Sequence, residues 1–187
     1  MKHTIKKNST YFLTLTVVGW IDVFTRESHK EVIIESLRYC IENKGLNVYC
    51  YCLMSNHLHM IVSADEPHQL KYVIRDFKKF SAKRILKQIE EQPESRREWM
   101  LREFKQAGAK SSKHQKYKFW KVGSHAIELY NERFTWIKIN YIHKNPVKDG
   151  YVTRAEHWKY SSARNYLGMD SVLDEVCLIP SMLSVVD

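Results

Sequence analysis

The stretch LNVYCYCLMSNHLHMIVS, Leu46 to Ser63, decides how the rest of the chain is read. Leu46, Val48, Cys50 and Cys52 alternate with Asn47, Tyr49 and Tyr51, which is the period of a strand running from Leu46 to Met54. Ser55-Asn56 has the composition of a tight turn, so His57 to Ser63 returns as the second arm of a hairpin. On that arm His57 and His59 are two residues apart, and both imidazoles project from one face. Leu58 anchors the strand from the other side, and Met60, Ile61 and Val62 hold it rigidly in a sheet, as a metal site needs.

Working outward, Thr10 to Val18 is rich in β-branched and aromatic residues and is expected to be a central strand. Glu27 to Asn43 spaces Val32, Ile33, Leu37, Cys40 and Ile41 as an amphipathic helix, stopped by Asn43-Lys44-Gly45. Pro67 opens a second helix reaching about Glu91, with Leu70, Val73, Ile74, Phe77, Phe80 and Ile85 as its apolar stripe. Glu94 to Lys105 reads as a short helix, Ala107 to Lys113 as a flexible linker, and Tyr117 to Val122 as a fourth strand. A last helix spans Asn131 to Asn145, ended by Pro146. Strand, helix, strand, strand, helix, strand, helix is the order of an α+β fold, an antiparallel sheet with helices on one or both faces.

The 187 residues suit one domain, with 44% hydrophobic and 27% charged residues. Residues 1–168 are read as a single domain carrying a charged insertion or linker at 91–116, and 169–187 as a C-terminal tail. No run approaches a membrane span, and Met1 to Asn8 lacks the apolar centre of a signal peptide, so a cytoplasmic protein is expected. Cys40, Cys50, Cys52 and Cys177 follow no disulfide spacing. The net charge of +9 and the 12% aromatic content point to a polyanionic partner, nucleic acid before others.

His-x-His alone is also the spacing of two unrelated strand histidines. Tyr141 and Asn145 supply context: four residues apart, they share a helix face. Two imidazoles and an amide oxygen form a mixed donor set suited to Mg²⁺ or Mn²⁺ beside a phosphate. Lys71, Arg75, Lys78, Lys79 and Lys83 make the second helix a candidate phosphate track or, equally, a solvated face. Trp120 and Trp158 are candidates for stacking unpaired bases, with core packing as the alternative. Lys138 and Lys144, each three residues from Tyr141, are candidates for easing its ionisation. A competing reading is a non-catalytic nucleic-acid-binding protein with structural zinc at Cys50, Cys52, His57 and His59.

Three ordered motifs carry a family resemblance. Tyr51 to His59 (YCLMSNHLH) resembles the strand-turn-strand of single-tyrosine HUH transposases, in which a hydrophobic residue separates two histidines. Tyr141 to Gly150 (YIHKNPVKDG) looks like the tyrosine helix of their REP-associated branch, and Trp158 to Ala163 (WKYSSA) its following W-x-x-S-S segment. Phe77 to Ser81 resembles that branch's basic helix, and Phe119-Trp120 its aromatic pair. The resemblance implies a ferredoxin-like sandwich with a central antiparallel sheet flanked by helices. It implies His57 and His59 as metal ligands, Asn145 as an amide-type third ligand and Tyr141 as nucleophile. The implied activity is metal-dependent cutting and joining of single-stranded or hairpin DNA through a 5′-phosphotyrosine, by a monomer or a homodimer. The charged stretch from Glu91 to Lys116 is longer than the family's usual connection.

Overall fold

The structure is a computed structural model and describes residues 9–111 and 115–180. Met1 to Asn8 and the Ser112-Lys113 end of the expected linker lie outside the described residues. Four strands, β1 (Tyr11–Thr16), β2 (Leu46–Leu53), β3 (His57–Ala64) and β4 (Ile127–Glu128), form an antiparallel sheet in the order β2-β3-β1-β4. Helix α1 (Glu27–Lys44) joins β1 to β2; α2 (Leu70–Glu91) and α3 (Arg97–Ala109) lie between β3 and β4; α4 (Glu132–Lys148) follows. This is the expected ferredoxin-like α+β sandwich.

The two faces of the sheet bury different sets. Leu13, Leu15, Leu58, Met60 and Val62 pack against Val32, Ile33 and Leu37 of α1, Val73, Ile74 and Phe77 of α2, and Met100 and Phe104 of α3. Alternate residues, Phe12, Ile61, Cys50 and Cys52, pack with Ile139 and Ile142 of α4. Strand periodicity therefore delivers His57 and His59, in phase with Ile61, to the α4 face.

Local chemistry sets the boundaries. Gly45 closes α1 at φ 59°, and its N–H donates to the Cys40 carbonyl. The left-handed conformation favours glycine there, and a Cβ would also meet His68 Cδ2 at 2.8 Å and displace that ring. Asn131 starts α4 by accepting from the Phe134 N–H at 2.7 Å.

Several expectations need correction. A bulge between Val48 and Cys50 shifts the β2 register. Leu46 and Val48 then share a core with Tyr51 and Leu53, while Cys50 and Cys52 turn to α4. Tyr117 to Val122 is not the fourth strand: it contributes one bridge, Trp120 to Val17, and β4 forms at Ile127–Glu128. Helix α4 does not stop at Asn145 but carries Pro146 inside it and ends at Lys148. The expected linker is in part helix, because Gly108 lets α3 close on the Gln115 backbone, where a Cβ would lie 2.3 Å from that carbonyl. Phe80 leaves the α2 stripe and stacks on Tyr39 at the surface.

The free edge of β2 is covered from the C-terminal side. Leu53 N–H donates to the Tyr160 carbonyl at 2.9 Å, Ser162 N–H to the Tyr51 carbonyl at 3.0 Å, and Cys177 N–H to the Val48 carbonyl at 2.9 Å. No described helix is long and apolar enough to cross a membrane.

Candidate functional site

His57 and His59 stand side by side on β3 with ring centroids 4.6 Å apart. Tyr141 reaches them from α4, its ring 5.4 Å from that of His59 and edge-on to it. Phe12 floors the site, stacked on His59 at 5.5 Å and edge-on to Tyr141 at 6.0 Å. Tyr141 is 39% exposed, open to solvent, whereas His59 is 5% and Asn145 8% exposed. Helix and strand bring Tyr141 to the histidine pair; Asn145 lies one turn beyond Tyr141 on α4 and is buried.

Both imidazoles are oriented through Nδ1. His59 Nδ1 lies 2.9 Å from Thr14 Oγ1, its cross-strand partner on β1. His57 Nδ1 lies 2.8 Å from Asn56 Oδ1. The Asn56 amide has only one orientation compatible with its other bonds, since Nδ2 donates to the Trp20 carbonyl at 3.1 Å and to Asp22 Oδ1 at 2.9 Å. A carboxamide oxygen accepts only, so His57 Nδ1 carries the proton and Nε2 keeps its lone pair. Burial favours the neutral rings: it lowers the pKa of His57, and that of His59 to about 3, helped by the neighbouring His57 and Lys138. With both rings neutral and held in place, and with the His57 Nε2 lone pair free, the pair fits a divalent cation.

Positive charge surrounds the tyrosine. Lys138 Nζ sits 4.9 Å from the Phe12 ring centroid and 5.7 Å from that of Tyr141. The second ammonium over Tyr141 belongs to Lys148, at 5.5 Å, rather than to Lys144. Running α4 past Pro146 is what puts Lys148 two turns from Tyr141 on the same side.

The zinc set is not assembled. Cys50 Sγ lies 3.3 Å from His143 Nε2 and accepts from Ser162 Oγ at 3.4 Å, and Cys52 Sγ donates to Met54 Sδ at 3.7 Å. Burial pushes the Cys50 thiol up to about 12 and raises Cys52 as well, which disfavours thiolate ligands. Among the described residues no group of three or more His, Cys, Asp or Glu is arranged to hold a metal.

The candidate DNA contacts separate. Lys71, Arg75, Lys79 and Lys83 lie exposed at four-residue spacing along α2. Lys78 points inward, its ammonium donating to the Lys121 and Gly123 carbonyls at 2.8 Å each, with its pKa lowered to about 8 by burial and by Lys118. Trp120 is 5% exposed, and its indole N–H donates to Ser81 Oγ, so it packs in the core rather than offering a face. Trp158 donates to the Leu53 carbonyl at 2.9 Å and leans on Tyr151, a wedge between the C-terminal segment and β2.

Sequence reading missed Thr14, Asn56, Asp22, Trp20 and Lys148. Asn56 carried a signal, adjacency to His57, but was read as turn chemistry. Thr14 carried none, because strand register alone pairs it with His59.

No curated protein matches the chain. Among solved structures, a REP-associated tyrosine transposase bound to a REP hairpin is similar at a TM-score of 0.62 and 15% identity, covering 92% of this chain and 88% of that one. A chain from Deinococcus radiodurans R1 assigned as a transposase aligns at a TM-score of 0.44 and 14% identity, covering 77% of this chain and 95% of that one. The family model described as "Transposase IS200 like" matches residues 6–145, most of the chain and every element from β1 to the tyrosine of α4. On that match the chain belongs to the IS200-like transposase family.

Proposed function

We propose that this transposase is a divalent-metal-dependent endonuclease and strand transferase of the single-tyrosine HUH type, REP-associated branch, acting on single-stranded or hairpin DNA. The observation that carries this reading is Tyr141 packed 5.4 Å from the oriented His57–His59 pair. The fold neighbour's bound REP hairpin favours a DNA hairpin as substrate.

His57 Nε2, His59 Nε2 and the Asn145 amide oxygen would hold Mg²⁺ or Mn²⁺. Such an ion would supply Lewis-acid polarisation of the scissile phosphate and offset its developing charge. Lys138 and Lys148 place two further positive charges beside the phenol, where the phosphate must enter. The Tyr141 oxygen attacks phosphorus in line and loses its proton to solvent. The bond to the 3′ oxygen breaks, that oxygen takes up a proton, and a 5′-phosphotyrosine and a free 3′-hydroxyl result. The covalent link conserves the phosphodiester energy, so a second 3′-hydroxyl can reverse the step and join strands.

Incubating the protein with single-stranded hairpin DNA, with and without Mg²⁺ or Mn²⁺, tests this. The expected result is a covalent protein–DNA adduct that requires metal and is absent with Tyr141→Phe. His57→Ala should lose cleavage and keep DNA binding. Normal cleavage by Tyr141→Phe would overturn the mechanism.

A further inference from the structure

Trp20 stands at the rim of the histidine pair. Its ring centroid lies 6.1 Å from that of His57, edge-on, and the side chain is 56% exposed. Its backbone sits at φ 56°, in the left-handed region that bulky side chains occupy only under strain. Asn56 Nδ2 holds it there by donating to the Trp20 carbonyl. An aromatic that strains the backbone and buries little is poorly explained by packing; such strain gathers where a side chain must be presented.

The surroundings say to what. Lys121 Nζ lies 4.0 Å from the Trp20 ring centroid. The Lys121 backbone runs along the edge of β1, its N–H donating to the Thr16 carbonyl at 2.8 Å, and its carbonyl accepts from Lys78 of α2. Lys118 adds positive charge near Lys78. The basic face of α2 and the histidine pair belong to opposite layers of the sandwich. The Lys118–Lys121 strip crosses the β1 edge between them, and Trp20 is where it meets His57.

We propose that single-stranded DNA crosses this edge, with an unpaired nucleobase next to the scissile phosphate stacked on the Trp20 indole and Lys121 facing the backbone phosphate. Stacking of this kind accepts any base, since every base has a π face. The inference rests on the single-strand cleavage reading above, whose Tyr141 adduct is a separate readout.

The test is binding of two fluorescent oligonucleotides to the full chain in EDTA, where no cleavage occurs: a hairpin with a single-stranded flank, and the bare hairpin. Trp20→Ala and Trp20→Gly should weaken the flanked hairpin about 10-fold, and Trp20→Phe should stay within about 3-fold of wild type. The bare hairpin should bind all four proteins alike. Trp20→Gly should melt at or above the wild-type temperature, because glycine accepts the left-handed conformation. An abasic scan of the flank should find one position that costs the wild type as much as Trp20→Ala does and costs Trp20→Ala nothing further. Unchanged flank binding by Trp20→Ala, or equal losses on both oligonucleotides, overturns the proposal. If those variants bind normally while the Tyr141 adduct forms, the inference fails alone. If flank binding depends on Trp20 but no adduct forms, the stacking site stands and the cleavage reading falls.

Discussion

Asn56 shows how much a single side chain settles at this site. Its amide is locked by the Trp20 carbonyl and Asp22, and it in turn sets the His57 tautomer. Asn56→Ala should leave the fold intact by circular dichroism but weaken Mn²⁺ binding, measured by titration calorimetry, about 10- to 100-fold. Unchanged Mn²⁺ affinity would remove Asn56 from the site. The buried histidines also make stability pH-dependent. His59 is lowered to about 3, His143 to about 4, and His29 also lies below its ordinary 6.5, all mainly through burial. As pH falls from 6.5 toward those values, the unfolded chain takes up protons that the folded chain refuses, so stability drops with pH. His59 and His143 each contribute on the order of 1 kcal/mol per pH unit within that window. The urea midpoint should therefore be lower at pH 5 than at pH 7, and equal midpoints would contradict the burial of these rings.

At the scale of elements, α2 is two helices in one. Its inner side holds the sheet; its outer side carries Lys71, Arg75, Lys79 and Lys83. The neighbours Lys78 and Lys79 fall on different sides of that division. Lys79→Ala should leave the melting temperature unchanged and flatten the slope of log affinity for single-stranded DNA against log salt by roughly 0.7. Lys78→Ala should leave that slope unchanged and cost about 1–3 kcal/mol of stability, because two carbonyls lose their ammonium donor. Reversed results would put Lys78 on the DNA. Helix α4 is fixed by a different device: His143, two residues from Tyr141, lies 2.9 Å from Ser162 Oγ, which also accepts from the Tyr51 N–H. The W-x-x-S-S segment thus ties the tyrosine helix to the edge strand of the sheet.

For the whole molecule, the charged stretch after Glu91 contributes the inner side of α3 to the core. Met100 and Phe104 of α3 are fully buried with Phe119, and Arg96 donates to the Asp22 carbonyl, in the loop that also holds Asn56. Phe104→Ala should cost about 3–5 kcal/mol in denaturant unfolding, the loss expected of a core phenylalanine. A loss within the range of a surface substitution would return α3 to the status of an appendage. The C-terminal segment also joins the main body through Leu173, wholly buried, and an Arg38–Glu175 ion pair at 2.8 Å.

Period and punctuation along the chain were enough to reveal the hairpin, the shared face of His57 and His59, the four-residue step from Tyr141 to Asn145, and an α+β order. These depend on near neighbours, where backbone geometry links spacing to direction. What escaped that reading depends on partners distant in sequence. The β2 bulge, the short β4, the inward turn of Lys78, the burial of Trp120 and the Thr14–His59 contact follow from which strands pair and what packs across the sheet. Pro146 illustrates the limit: its ring argues for a helix stop, yet the chain continues to Lys148. The His-x-His pair was legible as a pattern; its orientation by Asn56 and Thr14 exists only once β1, β3 and the Asp22 loop have met.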